Sequence, residues 1–202
     1  DTCPATPSGE SVDANGCGTI SIGMKYRGGI VAYIYKPEDT GWYVAGEIHG
    51  LIISEKDMIN SCSNSIGLGY KWGYGGSTET GIGQGKQNTQ IMLENNNQLS
   101  GDLACYAANV CWDYSVTIGG ATYEDWYLPS LDELKAIYQN KLAIGGFHSA
   151  DEVGNSSRID RFWSSTVSTE NQFSSYAVNF NNGDIGWNDK MDQYPVRAVS
   201  YF

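Results

Sequence analysis

One window of the chain combines a helical period with a start signal and a stop signal, and strand-like runs stand on both sides of it. In "SLDELKAIYQNK", Ser130 and Glu133 form a capping box, and Leu131, Leu134, Ile137 and Tyr138 share one apolar face. Gly145 and Gly146 follow as a stop. Upstream lie "GGIVAYIY" (28–35) and "GWYVAGEI" (41–48), joined by the turn residues "KPEDT", which predict a hairpin. Downstream lies "SYAVNF", where Tyr176, Val178 and Phe180 alternate with Ala177 and Asn179. The hairpin-turn signal "NNG" (181–183) and a last strand "PVRAVSYF" (195–202) follow. Weaker helical patterns cover 88–95 and about 100–112. "GIGQGK" (81–86) has the glycines of a phosphate loop but not its spacing, since Thr80 replaces the first Gly and Gln87 follows the Lys. It reads as a turn into the first helix. Strands, two or three helices, then strands define an α+β domain of antiparallel sheets whose first and last strands can meet in one sheet.

A length of 202 residues suits one domain with a short appendage. Residues 1–20 are that appendage, an extended arm rich in Pro, Ser, Gly and Thr. Residues 21–202 form the domain, with residues 60–87 expected to be a long ordered loop. The net charge of -11 repels phosphate backbones, which excludes nucleic acid as a partner and disfavours other polyanions. No run approaches the ~20 apolar residues that cross a bilayer, so membrane insertion is not expected. The abrupt start at "DTCPATPSGE" suits a mature or trimmed product.

Five cysteines are present, without a Cys-x-x-Cys pair and with only two histidines, a poor set for structural zinc. Cys3 and Cys17 bracket an arm that has no core to order it and read as a disulfide, which implies an oxidising compartment. Cys105 and Cys111, six apart on one expected helix, would stand ~9 Å apart and could not bridge. One of them can pair with Cys62, Cys105 being preferred, and the remaining thiol reads as a buried apolar filler.

The stretch "FWSSTVSTENQFSSYAVNFNNGDIGWNDKM" (162–191) holds five Asn, five Ser and six aromatics, with one Lys and no Arg or His. Aromatics supply contact area at low entropy cost, and Asn and Ser supply adaptable hydrogen bonds, the composition of a recognition surface. Thr169, Asn171, Phe173, Ser175, Asn179, Asn181, Trp187 and Asn188 are therefore expected on one exposed face around the final hairpin. The competing reading is a polar surface that merely solvates the fold.

"DWYLPSLDELKAIYQNK" (125–141), "FWSST" (162–166) and "YPVRAVSYF" (194–202) resemble the C-terminal domain family of the Legionella collagen-like adhesin. "GGIVAYI", "GIGQGKQNT" and "AANVC" match in order, so the resemblance covers about residues 26–202. It implies a C-type-lectin-like fold and an extracellular or cell-surface binding module, secreted or surface-displayed, that recognises a glycan or protein ligand. Related domains include the variable proteins of diversity-generating retroelements, in which the segment before the last strand presents mutable surface residues. The family pattern also implies that Trp126, Leu128 and Trp163 are buried. The alternative is a structural subunit of an extracellular filament or surface assembly, a homo-oligomer in which the arm packs on a neighbour.

Two fragments bear on Ca²⁺, the one cofactor the residues admit. "SVDANGCG" (11–18) resembles part of a thrombospondin type 3 repeat, with Asp13 and Asn15 as oxygen donors. One partial repeat lacks enough carboxylates, and a disulfide-pinned linker is the favoured reading. "WND" (187–189) resembles the triplet by which calcium-dependent lectins offer Asn and Asp oxygens, here Asn188 and Asp189. Its partner triplet is absent, and Glu170-Asn171 lacks the required Pro, so coincidence is favoured.

Catalysis is not expected. Formylglycine-generating enzymes share the broad fold but need reactive cysteines near the C-terminal core, and no Cys follows Cys111. His148 beside Ser149 and Asp151 is a loop neighbourhood, not a triad. Asp132 and Glu133 read as first-turn charges favoured by the helix dipole rather than a glycosidase pair.

Overall fold

The computed structural model describes residues 19–58, 69–97, 103–147 and 160–202. The Cys3–Cys17 arm with Asp13 and Asn15, Cys62 and His148 lie outside the described residues. Strands β1 (Lys25–Tyr26), β2 (Gly29–Ile34), β3 (Gly50–Ile53) and β4 (Tyr70–Lys71) precede α1 (Gly85–Asn96) and α2 (Ala107–Trp112). A small hairpin, β5 (Val116–Ile118) and β6 (Ala121–Tyr123), leads to α3 (Leu131–Gln139) and α4 (Lys141–Ile144). Strands β7 (Arg161–Val167), β8 (Ser174–Asn179), β9 (Ile185–Asp189), β10 (Gln193–Tyr194) and β11 (Val199–Tyr201) complete the chain. The main sheets are antiparallel, in the orders β1-β2-β3-β11 and β7-β8-β9, with the short pairs β4-β10 and β5-β6 beside them. The expected α+β class holds, in an arrangement compatible with a C-type-lectin-like fold. The last strand joins the first sheet, as Val199 pairs with Ile53 and Tyr201 with Leu51.

The inner strands β2, β3 and β8 are covered on both faces, which explains why they are buried at consecutive positions, whereas β9 at the edge keeps one exposed face. In β2, Val31 enters one core with Trp72, Trp126, Leu128 and Trp163, while Ile30 and Ala32 enter a second with Leu134, Ile137 and Phe162. In β8, Ala177 and Val178 divide the same way, both fully buried, as the alternation read in the sequence places them on opposite sides. Trp126, Leu128 and Trp163 are all at 0% exposure. The buried indoles keep their N–H groups satisfied, Trp72 donating to the Ser164 carbonyl at 2.6 Å and Trp163 to that of Tyr70 at 2.9 Å. At ~25 cal/mol per Å² and ~150–250 Å² per ring, each contributes at most ~4–6 kcal/mol.

The capping box forms as read: Glu133 N donates to Ser130 Oγ and Ser130 N to Glu133 Oε2. Glu133 is more than a first-turn charge, however. It is fully buried, and it also accepts from Gly83 N at 2.9 Å and Tyr127 OH at 3.4 Å, tying the turn before α1 to the start of α3. Desolvation raises its carboxyl to about 7 against the opposing hydrogen bonds. The approach is close: a side-chain carbon at Gly85 would fall 2.3 Å from Glu133 Oε2.

Two sequence expectations are corrected. Residues 41–48 do not form a strand, and the partner of β2 is β3, "GLII". Asp39 is the cause. Its carboxylate accepts from Lys36 N and Tyr33 OH, and its carbonyl accepts from Trp42 N and Tyr43 N, so the chain coils there, leaving Val44 and Ile48 exposed. The helix expected over 100–112 is interrupted: a 3₁₀ turn spans Leu103–Cys105, Tyr106 is extended, and α2 begins at Ala107. Cys105 and Cys111 therefore do not share a helix. Cys105 is bonded, whereas Cys111 is a free thiol at 0% exposure in the first core, where burial pushes its pKa up.

Arg197, in the last-strand motif, is almost fully buried. Its guanidinium donates to the carbonyls of Ser54 and Gly145, lies 3.6 Å from the Asp57 carboxylate, and stacks 4.2 Å over the Phe147 ring. It fastens the final strand to two loops at once. Desolvation lowers its pKa to about 10, and Asp57 opposes the shift.

Candidate ligand groove

The "FWSST" motif builds the wall of a groove. Between Trp163 and Val167 the register of β7 against β8 shifts, so Ser164–Thr166 forms a bulge. The bulge exposes main-chain and hydroxyl groups that dock loops. Ser165 N donates to the Pro129 carbonyl, Thr166 Oγ1 donates to that of Glu79 and accepts from Leu131 N, and Val167 N donates to the Ser77 carbonyl. The loop at residues 73–78, "GYGGST", is thereby held against β7.

That loop needs glycine. Gly76 has φ +102°, and a Cβ there would lie 2.3 Å from the Trp72 ring and 2.6 Å from Val167 Cγ2. Asn96, buried at the end of α1, accepts from Tyr74 N and donates to Asn109 on α2. Lys190, just after β9, donates to the Gly75 carbonyl at 3.0 Å and lies 4.6 Å over the Trp72 ring, and burial lowers its pKa.

A cavity of about 690 Å³ opens between this loop, the β7–β8 turn and the β9–β10 turn. Tyr74, Phe173 and Met191 give it exposed apolar surface, and Thr78, Gln172 and Asp189 give it polar groups. Phe173 is 68% exposed, far more than a ring of that size is left where it serves packing alone. Asp189 Oδ1 accepts from Met191 N, which sets the β9–β10 turn.

The eight residues expected on one face do not gather there. Phe173 lines the groove, and Thr169 is exposed in the same turn. Asn171 shapes that turn: its Oδ1 accepts from Phe173 N and its Nδ2 donates to Ser174 Oγ. Asn179 and Asn181 sit at the other end of β8, about 17 Å away at the rise of an antiparallel strand. There Asn179 Oδ1 accepts from Asn181 N, and Asn181 Nδ2 donates to Asp160. Ser175 is fully buried and is removed from the surface set. Trp187 is exposed in mid-strand opposite Tyr176, and Asn188, on the opposite face, donates to the Gly186 carbonyl and accepts from Tyr194 OH. The Asn and Ser of this stretch are therefore largely occupied in building turns.

The same alternation bears on the "WND" triplet, for which coincidence is favoured over calcium binding. Asn188 and Asp189 are neighbours in β9 and point to opposite faces, and Asn188 Oδ1 is taken by Tyr194. They do not converge on one ion. No cluster of three metal-ligating acidic, His or Cys side chains occurs among the described residues. His49 pairs with Glu47 at 2.6 Å, the hydrogen bond that chiefly raises its pKa.

Tyr74, Gly75 and Gly76, with Met191, went unread in the sequence. The signal available was "WGYGGST", an aromatic set among glycines inside a stretch without periodicity. Such a segment is ordered only if its glycines are fixed by close packing.

Ordered loops on a two-sheet α+β frame, with an open apolar groove between them, are the framework of an adhesin-related surface domain, the class to which the family below points. The chain belongs to the Lcl C-terminal domain family, whose model matches residues 81–200. That match takes in α1 to α4 and every strand from β5 to β10. No curated protein matches the chain. No helix among the described residues is long and apolar enough to cross a membrane.

Proposed function

We propose that the protein is an extracellular or cell-surface binding module, adhesin-like and not an enzyme, that takes a glycan or protein ligand in the groove between the glycine loop and the β7–β8 turn. The supporting observation is Phe173: a ring left largely in water, at the mouth of a cavity whose walls are fixed by Trp72, Lys190 and the β7 bulge. Family membership supports the surface role. Glu133 and Cys111, whose protonation is strongly shifted, are both fully buried and neither lines the groove. Their shifts reflect packing rather than chemistry on a ligand.

The test is capture on a glycan and protein array with and without Ca²⁺, repeated with Phe173→Ala and Met191→Ala. Replacing the Asn and Ser residues together is a poorer test, because it would dissolve the turns. A ligand retained by both variants at full strength would refute the groove. A structural subunit of a surface filament is the second reading, favoured by the exposed Ile185 and Trp187 side chains. A sizing column with negative-stain imaging separates the two.

A further inference from the structure

Among the described residues, the sheet β7-β8-β9 ends at β9. Lys190 N donates to the Phe173 carbonyl and Asn179 N to that of Asp184, and the register between them is unbroken. The hydrogen-bonded pairs are then Ser175 with Asn188 and Ala177 with Gly186, so Ile185, Trp187 and Asp189 turn their main-chain N–H and C=O groups away from β8. The side chains of these three residues share one exposed face, with Trp187 at 52% exposure. Edge strands are usually blunted by a Lys, a Pro or a bulge, and β9 contains none of these. Among the described residues its outward main-chain groups at Ile185 and Trp187 and the Asp189 N–H form an open template, the Asp189 carbonyl being closed by Asp192 N, and its exposed face runs, at Asp189, into the groove.

We propose that β9 accepts an extended basic polypeptide segment as a fourth strand, with an apolar side chain against Trp187 and Lys or Arg against Asp189 and Asp184. This rests on the reading of the groove region as a binding site and specifies its partner as protein. Charge decides the occupant. A second copy pairing about Trp187 would set Ile185 opposite Asp189 and would bring together two molecules of net charge -11. A basic strand places cations where β9 and its turns carry Asp184, Asp189 and Asp192, and it supplies the main-chain partners that the edge lacks.

The experiment uses the 202-residue chain and a labelled octapeptide, Lys-Lys-Val-Val-Lys-Lys-Val-Val, in which Lys and Val alternate along each face of a strand, read by fluorescence anisotropy at low salt. The controls are the Glu-Val octapeptide and a Lys-Val octapeptide N-methylated at every amide, which keeps the charge and removes the donors. The Lys-Val peptide is expected to bind, the N-methylated peptide about tenfold or more weaker, and the Glu-Val peptide not at all. Trp187→Pro removes an outward N–H at a position where an edge strand accepts Pro and should lose binding, whereas Trp187→Phe should keep it. Should Trp187→Pro fail to fold, Trp187→Lys leaves the main chain intact and should show the same loss. Equal binding of the methylated and unmethylated peptides overturns strand addition. A protein dimer abolished by Trp187→Lys overturns the basic partner in favour of a second copy. If array ligands are captured through Phe173 while the Lys-Val peptide does not bind, this inference fails alone; if neither binds, the groove reading fails with it.

Discussion

Replacing Glu133 by Gln should reverse the ranking of the two proteins as pH rises. The carboxyl is fully buried and is raised from 4.5 to about 7 by desolvation. Between these values the folded protein holds a proton that the unfolded chain has released, so Glu133 lowers stability as pH rises through that window. The difference of about 2.5 units corresponds to ~3 kcal/mol, complete above pH 7 and absent below pH 4.5. Gln removes this slope but has its own cost. Glu133 accepts from Gly83 N through Oε1 and from Ser130 N through Oε2, and an amide can accept through only one of those atoms. One buried donor loses its partner, worth ~1–3 kcal/mol. Glu133→Gln should therefore be the less stable protein at pH 4.5 and equal or more stable at pH 8. Urea denaturation of both proteins from pH 4 to 9 measures this, and the difference between them cancels the other carboxylates. Curves that stay parallel within ~0.5 kcal/mol, or a Gln variant that falls further behind as pH rises, would refute the reasoning. The second result would mean that the hydrogen bonds outweigh burial and keep the carboxylate ionised.

Leu128→Ala should lower stability by ~2–5 kcal/mol in the same assay, because the side chain is fully buried in the first core; an unchanged midpoint would misplace that core. Gly76→Ala should cost ~2–5 kcal/mol, joining the strain of a positive φ to the overlap with Trp72 and Val167, and should weaken ligand capture by displacing the loop. Full stability of that variant would show that the loop is not fixed by this contact. Peptide mass mapping without reductant should find Cys3 joined to Cys17, a loop closure worth ~3 kcal/mol in the chain-entropy model, and Cys62 joined to Cys105, with Cys111 unmodified until the protein is denatured. A free thiol at Cys3 or Cys17 excludes the first pairing.

The capped helix, the turn at 181–183 and the last strand were legible because each is specified by its neighbours in sequence. Ser130 and Glu133 announce the helix start to one another, and Asn181–Gly183 can take the positive φ that the hairpin demands, Gly183 standing at +82°. The false strand at 41–48 shows where this legibility stops. Its composition is as β-like as that of β3, but one buried carboxylate, Asp39, captures the preceding turn, and periodicity does not register a single tertiary partner. Glu133 misleads in the opposite direction. Its spacing from Ser130 gives the cap correctly, but the burial that makes it titrate near 7 comes from Gly83, Gly85 and Tyr127.

The binding stretch was half-readable for a related reason. Asn and Ser are the residues of recognition surfaces and also the residues of turns, because the same short polar side chain that can meet a ligand can meet its own backbone first. At Asn171 and Asn179 the backbone wins, since each side chain accepts from an N–H two residues on, and the Asn181 side chain is taken by the Asp160 carboxylate. Among the described residues, those with no such local partner are the ones left for another molecule: the Phe173 ring, the Trp187 ring and the outward main chain of β9 at Ile185 and Trp187. A binding surface of this kind rests on aromatic side chains and an open edge, with the polar residues holding both in place. That division predicts that Phe173 and Trp187 variants lose partners while keeping the melting temperature, and that Asn171 and Asn181 variants lose the melting temperature first.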